Sequence, residues 1–386
     1  MKILMFGWEY PPKFIGGLGK VTYELCDALA KKGIDITLVL PIRGSSNKIT
    51  IIPTNISVIG VKTLLNPYLT KKTNYLFTTK ENELYSGNLY DEVEKYTKKC
   101  IEIIKDVDFD IIHCHDWMTF KAGVLAKKYS NKKLILHVHS TEYDRSIGSC
   151  NPYVYSIEME GFKNADKIIA VSEYTKRKLV EVYNINKNKI NVVHNAVIFD
   201  GNIRKRISNS KNKIVLFLGR LSLQKGPDYF IKSAKRVLEY YKDVIFVLAG
   251  DGELLPNLIN LSCELGIETK MLFTGRLSDE EVHELYSIAD LYVMPSVSEP
   301  FGLTALEAAS KGVPIIISKN SGVREILRHA LEVDFWDIEE LTNKIICALN
   351  YLPLKECIIE NTYQTLPDIS WDKQADKLIN IYNNLL

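Results

Sequence analysis

Short, nearly continuous apolar runs alternate with amphipathic segments along most of the chain. Residues 2–6, 35–41, 111–115, 134–139, 167–171 and 190–193 read as strands buried on both faces, as in a parallel sheet. Between the first two, Val21, Leu25, Ala28 and Leu29 recur at helical spacing up to Gly33, placed as a C-cap glycine. Segments 152–165 and 173–183 read as helices, with Ser172 as the N-cap of the second. Residues 42–100 are rich in Lys, Asn, Tyr and Thr and show no period that orders them. A polar stretch over 200–213 reads as a linker, after which the alternation restarts. Strands are expected at 213–218, 244–249, 270–274, 291–294 and 313–318 within a six-stranded sheet, with helices between them. Two successive strand–helix arrays predict an α/β chain with two doubly wound parallel sheets.

At 386 residues the chain exceeds the size at which one core stops growing, which agrees with two domains. An apolar share of 46% and a charged share of 25% are ordinary for a globular protein. No apolar run approaches the ~18 residues of a membrane span. The run at 3–6 is broken by Glu9 and Pro11, too soon for a signal-peptide core, so a cytoplasmic location is expected. Seven cysteines, at 26, 100, 114, 150, 263, 347 and 357, form no Cys-x-x-Cys pair and are expected to be buried thiols. The net charge of +2 is unevenly shared. Residues 1–205 hold 30 Lys and Arg against 22 Asp and Glu, and the remainder 19 against 25. A basic first half suits an anionic ligand and is compatible with peripheral contact to an anionic membrane, although a dispersed solvated surface accounts for it better than a membrane patch does. Nothing in the pattern points to nucleic acid.

Four stretches carry candidate chemistry. Glu299 and Glu307 stand eight positions apart across Pro300-Phe301-Gly302-Leu303-Thr304, where a strand ends and a helix begins. That is the edge at which open α/β sheets bind ligands, and the helix start offers free N–H groups to an anion. On spacing alone, two solvated glutamates in a βα loop read as well. Gly16-Gly17-Leu18-Gly19 follows the first strand and lets the backbone approach a ligand closely. Arg220 and Lys225, five apart in the loop after residue 218, can converge on a diphosphate. His113 with His115, and His137 with His139, form two H-x-H pairs, each sharing one strand face. Such pairs can ligate zinc, but no carboxylate cluster accompanies them, and no metal is expected.

These stretches resemble the retaining glycosyltransferases of the GT-B fold, family 4 and the glycogen and starch synthases among them. The run from Glu299 to Glu307 is similar to their E-x7-E element, Gly219-Arg220-Leu221 with Lys225-Gly226 to G-R-L-x-x-x-K-G, and His115-Asp116-Trp117 to H-D-W. Glu9-Tyr10-Pro11-Pro12 and Gly16-Gly17-Leu18 resemble E-Y-P-P and the end of K-x-G-G-L, although Phe14 stands where that lysine falls and Lys13 lies one residue early.

The resemblance implies two Rossmann-like domains facing across a cleft. They are expected at 1–205, completed by a terminal helix over 370–386, and at 206–369. It implies a nucleotide-diphosphate sugar donor and a carbohydrate acceptor, with no cofactor. Glu299, His139, Arg220 and Lys225 take the catalytic roles; Gly16, Gly17, His115, Asp116, Phe301, Gly302, Leu303, Thr304 and Glu307 bind substrate. His113 and His137 are expected behind them. A glycogen or α-glucan synthase using ADP- or UDP-glucose is the leading expectation, and a transferase building lipid-linked or cell-surface glycans its competitor. A nucleotide-sugar epimerase or hydrolase, and a non-catalytic sugar-nucleotide-binding subunit, fit the motifs less well.

Overall fold

The computed structural model describes residues 1–11, 16–42, 55–63, 89–199, 201 and 211–386. Lys13 and Phe14, at the altered glycine motif, lie outside the described residues, as does most of the 200–213 stretch.

The first sheet takes seven parallel strands: β1 (Lys2–Phe6), β2 (Asp35–Ile42), β3 (Ile56–Lys62), β4 (Ile111–His115), β5 (Lys133–Val138), β6 (Lys167–Ala170) and β7 (Ile190–Val192). Their spatial order is β3-β2-β1-β4-β5-β6-β7, which reverses direction between β1 and β4. Helices α1 (Gly17–Lys31), α2 (Leu89–Asp106), α3 (Trp117–Ser130), α4 (Glu142–Arg145), α5 (Pro152–Asn164) and α6 (Glu173–Glu181) connect them. The second sheet repeats the plan with β8 (Lys213–Leu218), β9 (Val244–Ala249), β10 (Met271–Gly275), β11 (Leu291–Met294), β12 (Ile315–Ser318) and β13 (Leu331–Val333) in the order β10-β9-β8-β11-β12-β13. Its helices are α7 (Pro227–Tyr240), α8 (Leu255–Glu264), α9 (Asp279–Ile288), α10 (Leu303–Ser310), α11 (Ile338–Asn350) and α12 (Leu352–Thr365). The chain closes with α13 (Trp371–Asn383).

Parallel strands covered on both faces need two cores per sheet, and each sheet has them. On one side of the first sheet Leu4, Phe6, Ile112, Cys114, Leu134 and Leu136 meet α2, α3, α5 and α6. On the other side Ile3, Met5, Ile111 and Ile135 meet α1, and α13 joins them through Trp371, Ala375, Leu378 and Tyr382. The terminal helix therefore completes the core of the first sheet. Of the seven cysteines, Cys26, Cys100 and Cys114 are buried, but Cys263 and Cys357 are exposed on α8 and α12, contrary to the expectation of buried thiols. Both sit on the exposed faces of their helices.

The two sheets come together near the carboxyl edges of their strands. Val171, just past β6, packs in the core of the second domain, where Val197 and Phe199 join it. The start of α6 meets the β11–α10 loop: Ser172 Oγ and Thr175 Oγ1 donate to the Pro300 carbonyl at 2.5 and 3.2 Å. The Glu325 carboxylate accepts from the Glu173 and Tyr174 N–H groups at 2.9 and 2.8 Å. Ser172 also caps α6 through the Thr175 N–H, so one residue starts the helix and docks the domains.

Candidate active site

The reversal of strand order in each sheet lies at β1/β4 and at β8/β11, and ligands of open α/β sheets sit outside the strand ends at such points. The carboxyl ends of these four strands, with the loops and helix starts that follow them, carry most of the residues singled out in the sequence, while His137 and His139 come from the end of β5. Gly16 caps α1 from an extended backbone, and a Cβ on Gly17 would stand 3.7 Å from Leu303 Cδ2. The N-terminal ends of α1 and α10 thus meet across the interdomain cleft. Each brings the positive end of a helix dipole, and at α1 the Gly19 N–H donates to Glu9 Oε2 at 3.1 Å.

Glu299 is buried in the loop after β11. Its N–H donates to Asn320 O and its carbonyl accepts from Gly322 N, both at 2.9 Å, an isolated parallel bridge that extends the β11–β12 pairing. The carboxylate accepts from Lys225 Nζ at 2.6 Å and from Ser296 Oγ at 3.3 Å. Gly302 then turns into α10 with φ of 111°, and a Cβ there would lie 2.9 Å from Met294 Cε and 3.0 Å from Val323 Cγ1. Phe301 is buried in the core of the second domain, with its ring 6.2 Å from that of His194. Thr304 Oγ1 accepts from Tyr292 OH at 2.7 Å. Glu307 points back toward the cleft, where its carboxylate accepts from Tyr286 OH at 3.3 Å and pairs with Lys20 Nζ of the opposite domain. Burial, the largest single influence, works to lower the Lys20 ammonium pKa, but the charge and hydrogen bond of Glu307 together with the charges of Asp279 and Glu24 outweigh it and hold it above the ordinary lysine range.

Arg220 turns its guanidinium toward Glu253 Oε2 at 3.5 Å. Beside it the loops after β8 and β9 pack backbone against backbone: a Cβ on Gly250, whose φ is 130°, would fall 1.9 Å from Gly219 O.

On the first domain, Asp116 adopts φ 56° and ψ 170°, a sparsely populated region for a side-chain-bearing residue. Its N–H donates to His137 O at 3.0 Å and its Oδ1 accepts from His139 N at 2.8 Å, which fixes the turn that presents His139. Burial raises the Asp116 carboxyl pKa to about 6. His115 is fully buried, with Nδ1 2.9 Å from His139 Nε2. His115 and Asp116 therefore stand behind His139.

Two family models match this chain, one described as Glycosyltransferase Family 4 over residues 15–200 and one as Glycosyl transferases group 1 over 199–365. The chain belongs to the GT-B glycosyltransferases. An uncharacterised glycosyltransferase of Methanocaldococcus jannaschii is 29% identical, with 99% of this chain and 98% of that protein aligned. A glycogen synthase of Mycobacterium tuberculosis is 26% identical over 84% of this chain and 80% of its own. Among solved structures, a sucrose-phosphate synthase of Thermosynechococcus elongatus superposes with a TM-score of 0.83, covering 100% of this chain and 98% of that one at 18% identity. That likeness shows the fold.

In this glycosyltransferase, nitrogens of His113, His115 and His137 lie within 4.8 Å of one another. Successive rings of the His113, His115, His137 and His139 group stack, at 4.7 Å for 113–115, 5.1 Å for 115–137 and 4.3 Å for 137–139, within 11–27° of parallel. Lone pairs of parallel rings lie in parallel planes, whereas a zinc ion needs ligands radiating from one point at about 2.0–2.1 Å. The arrangement is a stacked ladder, closed at its far end by His113 Nδ1 against Tyr382 OH of α13 at 2.6 Å. Burial is the first cause holding all four imidazole pKa values below the ordinary range, His115 at about 3.

Sequence reasoning did not single out Lys20, Tyr286 or Tyr292. Lys20 meets Glu307 from 287 positions away, a contact with no local pattern. Tyr286 and Tyr292 read as ordinary core residues; their placement beneath α10 comes from the sheet order.

Proposed function

We propose that this glycosyltransferase is a retaining, metal-independent hexosyltransferase, which moves glucose from ADP- or UDP-glucose to the end of an α-glucan. The observation that carries this reading is the pairing of the buried Glu299 carboxylate with the half-buried Lys225, set beside the N-terminus of α10 and across the cleft from His139. The likeness to a glycogen synthase over 84% of the chain supports the choice of acceptor.

In this reading the diphosphate lies against the N–H groups of Gly302, Leu303 and Thr304, with Lys225 and a reoriented Arg220 neutralising the charge that grows as it leaves. Preorganised donors aimed at developing charge lower the barrier without reorganising during the reaction. Glu307 receives the ribose hydroxyls once Lys20 yields it. Glu299 and His139 hold hydroxyls of the donor sugar from opposite sides. Glu299 stays paired with a cation, which suits positioning and charge stabilisation better than attack on the sugar. The leaving phosphate then takes the acceptor proton on the face it departs from, so the anomeric configuration is kept. The Gly16-Gly17 turn leaves room for substrate at the mouth of the cleft, and Phe301 supports the loop from within.

The test is a donor screen that reads release of UDP, ADP or GDP with and without glycogen, in EDTA. Release of UDP or ADP that depends on glycogen and survives EDTA is expected. Release only with a lipid-linked or small-sugar acceptor moves the enzyme to the competing transferase class, and release without any acceptor moves it to a hydrolase.

A further inference from the structure

Ser298 precedes Glu299, and its hydroxyl reaches into the first domain. It donates to Asp144 Oδ1 at 2.7 Å and accepts from Lys178 Nζ at 2.7 Å, with Tyr174 OH 3.3 Å away. Lys178 Nζ also binds Asp144 Oδ1 at 2.5 Å and sits over the Tyr174 ring at 4.5 Å. The second Asp144 oxygen accepts from Thr141 N at 3.0 Å and Thr141 Oγ1 at 2.7 Å. Asp144 has no exposed surface, and the Lys178 side chain keeps 14% of its own. One carboxylate thus joins two loops: Thr141 lies two residues past His139, and Ser298 one residue before Glu299.

A buried ion pair is weak evidence for stability, because well-packed apolar residues often replace it at no loss. What a fully bonded charged network does provide is a single geometry. The rest of the 297–300 loop is tied by main chain to the second domain or through the Pro300 carbonyl to α6. Val297 N and Ser298 N reach Gln224 O, and Glu299 N reaches Asn320 O. The Ser298 hydroxyl connects that loop to the segment carrying His139.

We propose that Ser298, Lys178 and Asp144 are positioning residues that set the reach of Glu299 relative to His139 across the cleft. The inference rests on the role given above to Glu299. It identifies an interdomain device that acts on the donor sugar through two residues it holds, without touching substrate itself.

Wild type, Ser298→Ala, Ser298→Thr and Lys178→Met proteins are compared with UDP-glucose and ADP-glucose as donors and glycogen as acceptor. Hydrogen exchange is followed in the same proteins across residues 296–304. Ser298→Ala removes one hydroxyl and leaves the buried Asp144–Lys178 pair matched, so it keeps the test informative if Lys178→Met fails to fold. For Ser298→Ala, kcat is expected to fall about 10- to 100-fold, the scale of a small misplacement of a reacting group, with the donor KM close to wild type. Ser298→Thr restores the rate, and exchange across the loop quickens in Ser298→Ala. A kcat for Ser298→Ala within about twofold of wild type, small against that expected scale, overturns the proposal; so does a loss confined to KM. If wild type transfers no sugar from either donor, the proposed function falls separately. Loop exchange then decides alone: unchanged protection in Ser298→Ala overturns the network's hold on Glu299.

Discussion

At Gly302 the backbone turns from the Glu299 loop into α10 with φ of 111°, between the side chains of Met294 and Val323. A side chain there is strained by its backbone and also meets its neighbours. Gly302→Ala is expected to cost about 1–3 kcal/mol in denaturant unfolding and to weaken UDP binding by calorimetry, because the first N–H groups of α10 move with it. Glu299 makes a different demand, since its backbone is held by Asn320 and Gly322 whatever its side chain. Glu299→Gln therefore keeps the loop but removes the charge that faces Lys225. Its transfer rate is expected to drop about 100- to 1000-fold, the scale seen when one preorganised group is lost, while calorimetric affinity for UDP stays near wild type. A Glu299→Gln enzyme with normal turnover contradicts the role given to this residue.

The elements that bring the cleft together are α1, α6 and α10. Helix α1 sends Lys20 onto Glu307 of α10, although both stand at the site where the proposed donor ribose lies. Lys20→Met frees Glu307 without a competitor. UDP binding is expected to tighten up to about fivefold at low salt, the scale of a partly exposed ion pair worth about 1 kcal/mol. The gain should shrink as salt is raised. Weaker binding in Lys20→Met shows instead that the ammonium contacts the nucleotide. Helix α6 shows how much of such a contact can be read in advance. Ser172 was legible as its N-cap, and Tyr174, Thr175, Lys178 and Leu179 repeat at helical spacing with Lys178 on the buried face. A lysine on a buried face asks for a partner, but the partner's identity, Asp144 with Ser298 from another domain, is settled by tertiary packing.

For the whole molecule, both sheets were legible because parallel strands covered on two faces give unbroken apolar runs, as in Ile111-Ile112 and Val215-Leu216-Phe217. Strand β13 escaped notice because three residues, Leu331–Val333, are too short to stand out. Strand β3 and helix α2 were hidden by the polar 42–100 region, where Glu92 and Thr97 are buried beside apolar residues. The motif residues at strand ends were legible, and the ladder that stacks four histidines was visible only as two pairs sharing a face.

That ladder governs the response to acid. His113, His115, His137 and His139 stay neutral when folded, so they take up protons on unfolding, and their stabilising contribution is lost as pH falls below the unfolded histidine value. Asp116 at about 6 and Glu158 at about 7 are raised by burial and act oppositely, their contribution present at low pH and lost as pH rises through those values. Four depressed imidazoles against two raised carboxyls leave the unfolded chain binding more protons on balance, so stability should fall as pH drops from roughly 6.5 toward 4.5. Urea unfolding at pH 6.5, 5.5 and 4.5 measures the slope, and a stability that rises toward acid contradicts the neutral ladder.

Proton NMR of the newly formed glycosidic linkage, followed from the first turnovers with the preferred sugar nucleotide and acceptor, tests the central claim most directly. A Glu299 that positions the sugar while the leaving phosphate guides the acceptor predicts an α-linked product from the α-linked donor. A β-linked product requires a base on the opposite face and contradicts the account.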